Sequence, residues 1–328
     1  MIIITGAAGL IGSAFAWQCN QHGLKDLILV DDCYTSEKWH NLVGLTFKEI
    51  YGKQAFLELI QHNRLPFPSS DIQAIVHLGA CSTTTQTDAS YLLANNYQYS
   101  QDIARWALSH GIKLIYASSA ATYGNGQQGF EDSHDGLHHL RPINRYGYSK
   151  HIFDLWLSQE GLLDQVYGLK FFNVFGPNEY HKGSMMSMVC KSFFQILETE
   201  SVSLFKSHNP SYRDGEQLRD FIYVKDVTAI LYWMVQEQLA GGIYNIGSGT
   251  ARTWYDLVQS VGLAMNKPAS ITYIDMPDTL RNQYQYTTLA PLNKLRGQGC
   301  RLLMRSLEDS IHDYVRGYLM QGKKTLSF

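Results

Sequence analysis

A chain of 328 residues that is 45% hydrophobic and 17% charged, with a formal net charge of −2, can bury a substantial core and is not expected to be disordered. That balance offers no basic field to nucleic acid, and no apolar run approaches the ~20 residues that span a bilayer, so neither nucleic acid nor membrane is an expected partner. Cys19, Cys33, Cys81, Cys190 and Cys300 are odd in number, widely spaced and outside any metal-ligand pattern, which argues against a disulfide framework and a metal site. The first residues lack the basic start and long apolar run of a signal peptide, so a cytoplasmic location is expected.

In chain order, Ile2, Ile3 and Ile4 form a short β-branched run broken at Gly6, which predicts a strand buried on both faces of a parallel sheet. Residues 10–22 predict a helix capped by Gly23, and residues 27–30 a second buried strand ending at the acidic pair Asp31 and Asp32. Strands at 74–78, 113–117 and 166–171 then alternate with helices at 91–108 and 146–157. Such alternation implies right-handed crossovers, and the expected fold class is α/β, a Rossmann-type doubly wound parallel sheet.

Beyond residue 172 the rhythm loosens into a helix at 184–197, a polar turn-rich stretch at 208–218, a strand at 221–224 and another at 242–246 that returns to the main sheet. The expected organisation is a dinucleotide-binding domain over 1–172 to which 220–247 returns. A smaller α/β substrate-binding lobe is expected from 173–219 and 248–328.

Gly6, Gly9 and Gly12 stand in ITGAAGLIG between the first strand and its helix. There one glycine permits a tight turn, one admits a pyrophosphate against the backbone, and one lets helix and strand pack closely. The alternative, an ordinary strand-to-helix turn, does not account for a position after the first strand of a βαβ unit. Asp31 and Asp32 lie roughly 20 residues further on, where a carboxylate bonds the adenosine ribose, which favours NAD. Lys38 is a cation that suits a ribose phosphate instead, so NAD and NADP both stay open.

Tyr146 and Lys150 are four apart in YGYSK, on one face of the predicted helix that follows the long loop 124–145. A phenol with an ordinary pKa near ~10 is a poor base at neutral pH, but a neighbouring ammonium and an oxidised nicotinamide both favour its anion. Tyr146 is thus placed to take a hydroxyl proton while a carbon-bound hydrogen leaves as hydride. Ser119, at the carboxyl end of a strand, orients the same oxygen, with Ser118 the competing choice.

The runs TGAAGLIG, SSAATYG and YGYSK resemble the extended branch of the short-chain dehydrogenase/reductases over essentially the whole chain. Dehydratases of that branch carry an Asp-Glu pair after the catalytic hydroxyl residue, whereas Ala120, Ala121 and Thr122 follow Ser119 here, so epimerisation is the implied reaction. Within the branch, the segments at 79–85, 95–100, 116–124, 173–185 and 219–227 are similar to the ADP-heptose 6-epimerases, which serve lipopolysaccharide synthesis. That resemblance implies inversion at carbon 6 through a ketone, with one tightly held NAD or NADP per subunit and no net redox change. It also implies a nucleotide-sugar substrate and a homo-oligomer, with a pentamer as one form.

Carried over by position, the resemblance implies cofactor contacts at Leu10, Ile11, Asp31, Asp32, Lys38, Lys53, Leu78, Gly79, Ala80, Cys81, Ser82, Asn95, Lys150 and Val174. Lys182, in HKGSM, takes the place of the family's second acid/base lysine and cofactor contact; by composition alone it is a loop cation for the diphosphate. Substrate contacts fall at Asn173, Ser184, Lys191, Phe205, Lys206, Ser207, His208, Arg219 and Tyr284. Arg219 suits a diphosphate because a guanidinium grips it bidentately, a surface salt bridge being the alternative; Tyr284 is alternatively a packing aromatic.

Lys191 stands where better-known members place a histidine, Leu78 where they carry an acid, and residues 209–215 are extra. These departures border the nucleotide-sugar pocket and leave sugar and base open. Two other readings remain: an epimerase or reductase on another nucleotide sugar of the UDP-hexose type, and a cofactor-sensing protein without chemistry, which the presence of Ser119, Tyr146 and Lys150 disfavours.

Overall fold

The computed structural model describes residues 1–33, 36–281 and 284–327. The first half runs β1 (Ile2–Thr5), α1 (Leu10–Gln21), β2 (Leu27–Val30), β3 (Glu49–Tyr51), α2 (Lys53–Gln61) and β4 (Ala74–His77). A helical stretch follows as α3 (Ala89–Leu92), a π-helical segment Leu93–Gln98 and α4 (Tyr99–Ser109), then β5 (Lys113–Ser119), α5 (Arg145–Gln159) and β6 (Tyr167–Phe171). The second half adds β7 (Asn173–Phe175), α6 (Met188–Thr199), β8 (Ser201–Phe205), β9 (Leu218–Tyr223) and α7 (Val224–Gln236). It continues with β10 (Gly242–Ile246), β11 (Ala251–Thr253), α8 (Trp254–Met265) and β12 (Ser270–Ile274).

A seven-stranded sheet in the order β10-β6-β5-β4-β1-β2-β3 pairs in parallel throughout. Side chains alternate faces along a strand, and β1 shows the result. Ile3 joins Ile28, Ile75 and Leu114 in the core on one side, while Ile2 and Ile4 join Leu27, Leu29 and Val76 on the other. β1, β2 and β4 are buried at every position, which is why they read as apolar runs up to Thr5 and His77, polar ends that hydrogen-bond each other. β10 comes from the second half yet pairs with β6 along its length, and α7 packs on α1.

A three-stranded sheet, β11-β9-β7, and the parallel pair β8 and β12 build the lobe over the carboxyl edge of the large sheet. Its separate core includes Phe175, Phe193, Leu204, Tyr223, Val258 and Tyr314.

Several elements differ from the sequence-based expectation. β3 and α2 carry half-exposed polar residues at the sheet edge and lack an apolar run. The helix expected at 184–197 starts at Met188, because Gly183 takes φ 53° and ends a preceding 3-10 turn, and Ser187 then caps Cys190 N at 3.2 Å. The strand expected at 221–224 begins earlier, at Leu218, where β11 pairs with it. The helix expected at 91–108 contains the π-helical segment, a feature often found at functional sites, and Asn95 and Asn96 lie on it. Among the described residues, no helix is long and apolar enough to cross a membrane.

Candidate active site

The turn after β1 fits a dinucleotide phosphate. Gly6 has φ 67°, and a Cβ on Gly12 would lie 2.1 Å from Gly6 O, so neither position accepts a side chain. Gly9 N donates to Gly6 O at 3.0 Å, closing the turn. α1 then begins at Leu10 and Ile11 with no side-chain cap and no acidic residue in its first turn. Those uncapped amides and the positive end of the helix are what a pyrophosphate needs.

At the end of β2 the Asp31 carboxylate accepts from Ala8 N at 2.8 Å and from Lys38 Nζ at 2.7 Å, so it is locked to the glycine turn. Lys38, read from the sequence as a cation for a ribose phosphate, is here ion-paired with Asp31. Asp32 accepts from Lys53 N at 2.9 Å and stands 3.7 Å from Lys53 Nζ, which also donates to Asn95 Oδ1 on the π-helical segment. These five residues form one polar rim at the carboxyl edge of the sheet.

Leu78, Gly79, Ala80, Cys81 and Ser82 follow β4 and line the next part of that edge. Leu78 N donates to Thr5 O at 3.1 Å and Gly79 N to Thr5 Oγ1 at 3.0 Å. Buried Asn96 accepts from Cys81 N at 2.8 Å and donates to Cys81 O at 3.0 Å and to Ser149 Oγ at 2.9 Å. It thereby clamps the segment to α5, the helix of Tyr146 and Lys150. No sequence signal singled out Asn96; its neighbour in the Asn95-Asn96 pair was the residue selected.

Ser119 ends β5 beside the half-buried Tyr146 phenol, and its hydroxyl accepts from Ala121 N at 3.1 Å. Ser118, the competing choice, donates instead to Asp154 at 2.7 Å and is out of play. Burial raises the pKa of Tyr146, against a lowering by the neighbouring Ser119 hydroxyl and a smaller raising by Cys81. The expectation of a phenol made acidic by Lys150 is thus not met by the protein alone, because desolvation of the ring oxygen outweighs the opposing effect. Lys150 is buried, donates to Ala117 O at 3.0 Å, and is pulled down to about 8 by desolvation, with Asp154 and Cys81 acting upward.

The lobe supplies the remaining candidates. Arg219 on β9 is 6% exposed, pairs with no carboxylate within 4.0 Å among the described residues, and lies 4.9 Å from the Tyr284 ring and 5.5 Å from the Trp254 ring. Trp254 Nε1 donates to Tyr284 Oη at 2.9 Å, so the aromatic walls are fixed. Lys182 is half-buried; desolvation lowers its pKa, Glu179 opposes that, and Lys191 at the start of α6 adds to the lowering. Glu179 is occupied by Ser187 Oγ at 2.7 Å.

Asn173 donates to Asp220 O at 3.0 Å, beside Val174 on β7. Phe205 ends β8; after it Lys206 pairs with Asp275 at 3.2 Å and Ser207 N donates to Asp214 at 2.7 Å. His208 and Ser184 are exposed and gain no partner in the site among the described residues. A further residue the sequence did not flag, buried Asn41, joins the two halves: its amide donates to Ala8 O and Asn178 O, both at 2.9 Å. The described residues hold no cluster of His, Cys, Asp or Glu suited to a metal.

An uncapped glycine turn, a carboxylate at the second strand and a Ser-Tyr-Lys set at the edge of a parallel sheet define a nicotinamide-dependent short-chain enzyme of the extended type. Residues 2–247 match the model of the NAD dependent epimerase/dehydratase family, and the chain belongs to that family. It is 48% identical over 97% of its length, and 98% of the relative's, to an ADP-L-glycero-D-manno-heptose-6-epimerase of Nitratidesulfovibrio vulgaris. It is 45% identical, with the same shares covered, to one of Fusobacterium nucleatum subsp. nucleatum. The crystal structure of the Helicobacter pylori ADP-L-glycero-D-manno-heptose-6-epimerase superposes with a TM-score of 0.79 at 28% identity, covering 96% of this chain and 95% of that one.

Proposed function

We propose that the protein inverts carbon 6 of ADP-D-glycero-D-manno-heptose to the L-glycero form through a transient ketone. The observation that carries this reading is Tyr146 beside Ser119 at the end of β5, one helical turn before the buried Lys150, with a turn shaped for a dinucleotide on the same sheet. When bound, an oxidised nicotinamide supplies a hydride acceptor and a positive charge beside the phenol. Tyr146 takes the proton of the carbon 6 hydroxyl while Ser119 holds that oxygen, and Lys150 keeps an ammonium next to the developing phenolate. Hydride returns to the opposite face of the ketone, so the reaction is redox-neutral.

Lys182 is assigned as the acid/base group of that second face, since it lies in the lobe with no carboxylate within 4.0 Å among the described residues. The pairing of Asp31 with Lys38 suits the free ribose diol of NAD through the carboxylate and the phosphate of NADP through the ammonium. A homo-oligomer, with a pentamer as one form, and a cytoplasmic location complete the reading. Five free cysteines agree with a reducing compartment.

Incubation with ADP-D-glycero-D-manno-heptose, watched at carbon 6 by NMR, is expected to yield an equilibrium mixture of both epimers without added NAD(P)H. Stoichiometric consumption of external NAD(P)H would make it a reductase, and turnover confined to UDP-hexoses would make it a different epimerase. The buried, acid-free Arg219 supports diphosphate binding. Arg219→Met is expected to raise KM for the nucleotide sugar by about tenfold or more while kcat changes little, because a charge-assisted pair is lost in ground and transition state alike. An unchanged KM in steady-state kinetics would remove Arg219 from the substrate site.

A further inference from the structure

Beneath the Ser119 and Lys150 pair lies a second, fully enclosed set of charges that the chemistry above leaves unused. Asp154 and Lys170 are both 0% exposed and sit 3.2 Å apart. We propose that Asp154, with Lys170 as its counter-ion, is a positioning residue for the reaction: it fixes the strand end that presents Ser119 and keeps Lys150 in its ammonium form.

The geometry links the pair to each catalytic segment. Asp154 follows Lys150 by one turn of α5, on the same face. Its carboxylate accepts from Tyr116 Oη at 2.9 Å and Ser118 Oγ at 2.7 Å, tying down the end of β5 directly before Ser119. On the other side Lys170 Nζ donates to Thr122 Oγ1, which donates to Ser119 O at 2.7 Å. Lys170 also lies 4.6 Å from the Tyr123 ring. Gly168 makes room for this arrangement, since a Cβ there would stand 2.3 Å from the Tyr116 hydroxyl.

The groups facing Lys150 leave Asp154 as its balancing charge. From α5 come Tyr146 and Asp154, from the segment after β4 comes Cys81, and from β4 comes His77, which burial pushes down to about 3 and so leaves neutral. Facing the pair itself are Tyr116, Tyr123, Asp132 and His151, the last pushed down by burial to about 4. A buried ion pair is a poor stabiliser compared with apolar side chains of the same volume, so its worth here lies in orientation and charge.

This inference rests on the assignment of Tyr146 and Lys150, and the test separates the two. Asp154→Asn combined with Lys170→Met removes both charges, so neither is left buried and unpaired. With cofactor content and melting temperature near wild type, the alkaline limb of the kcat profile for ADP-D-glycero-D-manno-heptose is expected to move down by about one pH unit, with KM nearly constant. The sign follows because Asp154 acts on Lys150 and Lys170 does not act on it measurably, so removing the pair takes away a net negative influence and lets Lys150 shed its proton at lower pH. Thr122→Val, which keeps volume and charge, is expected to lower kcat roughly fivefold through a loosened Ser119.

A double variant with an unshifted profile overturns the charge role. Wild-type kcat in Thr122→Val overturns the orienting role, whether or not the double variant folds. If Lys150→Met itself keeps full turnover, the underlying catalytic assignment fails; if it is inactive and both other variants behave as wild type, this proposal alone fails.

Discussion

Tyr146→Phe is expected to lower turnover by about a thousandfold while leaving the dinucleotide bound, since general acid-base groups supply rate enhancements of that order. The substitution removes one oxygen and keeps the ring. α5 stays anchored through Asn144, whose side chain accepts from Gly147 N at 2.7 Å, and through the Ser149 bond to Asn96. The glycine turn and the rim of Asp31, Asp32 and Lys53 are untouched, so cofactor content after purification should match wild type. Cofactor released by denaturation and kcat on the ADP-heptose are the two measurements. Near-normal kcat would remove the phenol from the chemistry.

The second large effect is expected at Lys182. Because this amine is half-buried, drawn downward by desolvation and by Lys191, it gives up a proton more readily than an exposed lysine does. Lys182→Met is therefore expected to slow inversion by about a hundredfold, yet to leave the Tyr146 half-reaction measurable as a transient of reduced nicotinamide. Equal loss of both partial reactions, together with a raised KM, would instead make Lys182 a diphosphate ligand.

The large sheet was legible wherever both strand faces are buried, as at Ile2 to Ile4, because no polar residue interrupts such a run. The Tyr146 and Lys150 spacing was legible for a similar reason: a helix puts those positions on one face whatever surrounds them. What escaped depends on long-range partners. β8 and β12 pair across about seventy residues, for example Ser201 with Ser270, and although each alternates polar and apolar residues, that pattern does not name its partner. The π-helical segment and the Asn41 bridge arise from tertiary packing. Ser119 was preferred from sequence with Ser118 as the competitor, and the structural ground for the choice is non-local: Ser118 is directed toward Asp154 and Ser119 lies beside Tyr146. Asp154 itself was within reach, as an acid one turn past the catalytic lysine, but it reads as an ordinary helix-face residue until Lys170 is seen beside it.

The late arrival of β10 bears on biosynthesis. Each residue of β6, from Tyr167 to Phe171, is aligned with one in Gly242–Ile246. A ribosome elongating at ~5–20 residues per second needs on the order of ten seconds to deliver that neighbour. During this interval the nascent chain presents a row of unpaired backbone N–H and C=O groups along β6, a template for self-association that the arrival of β10 removes.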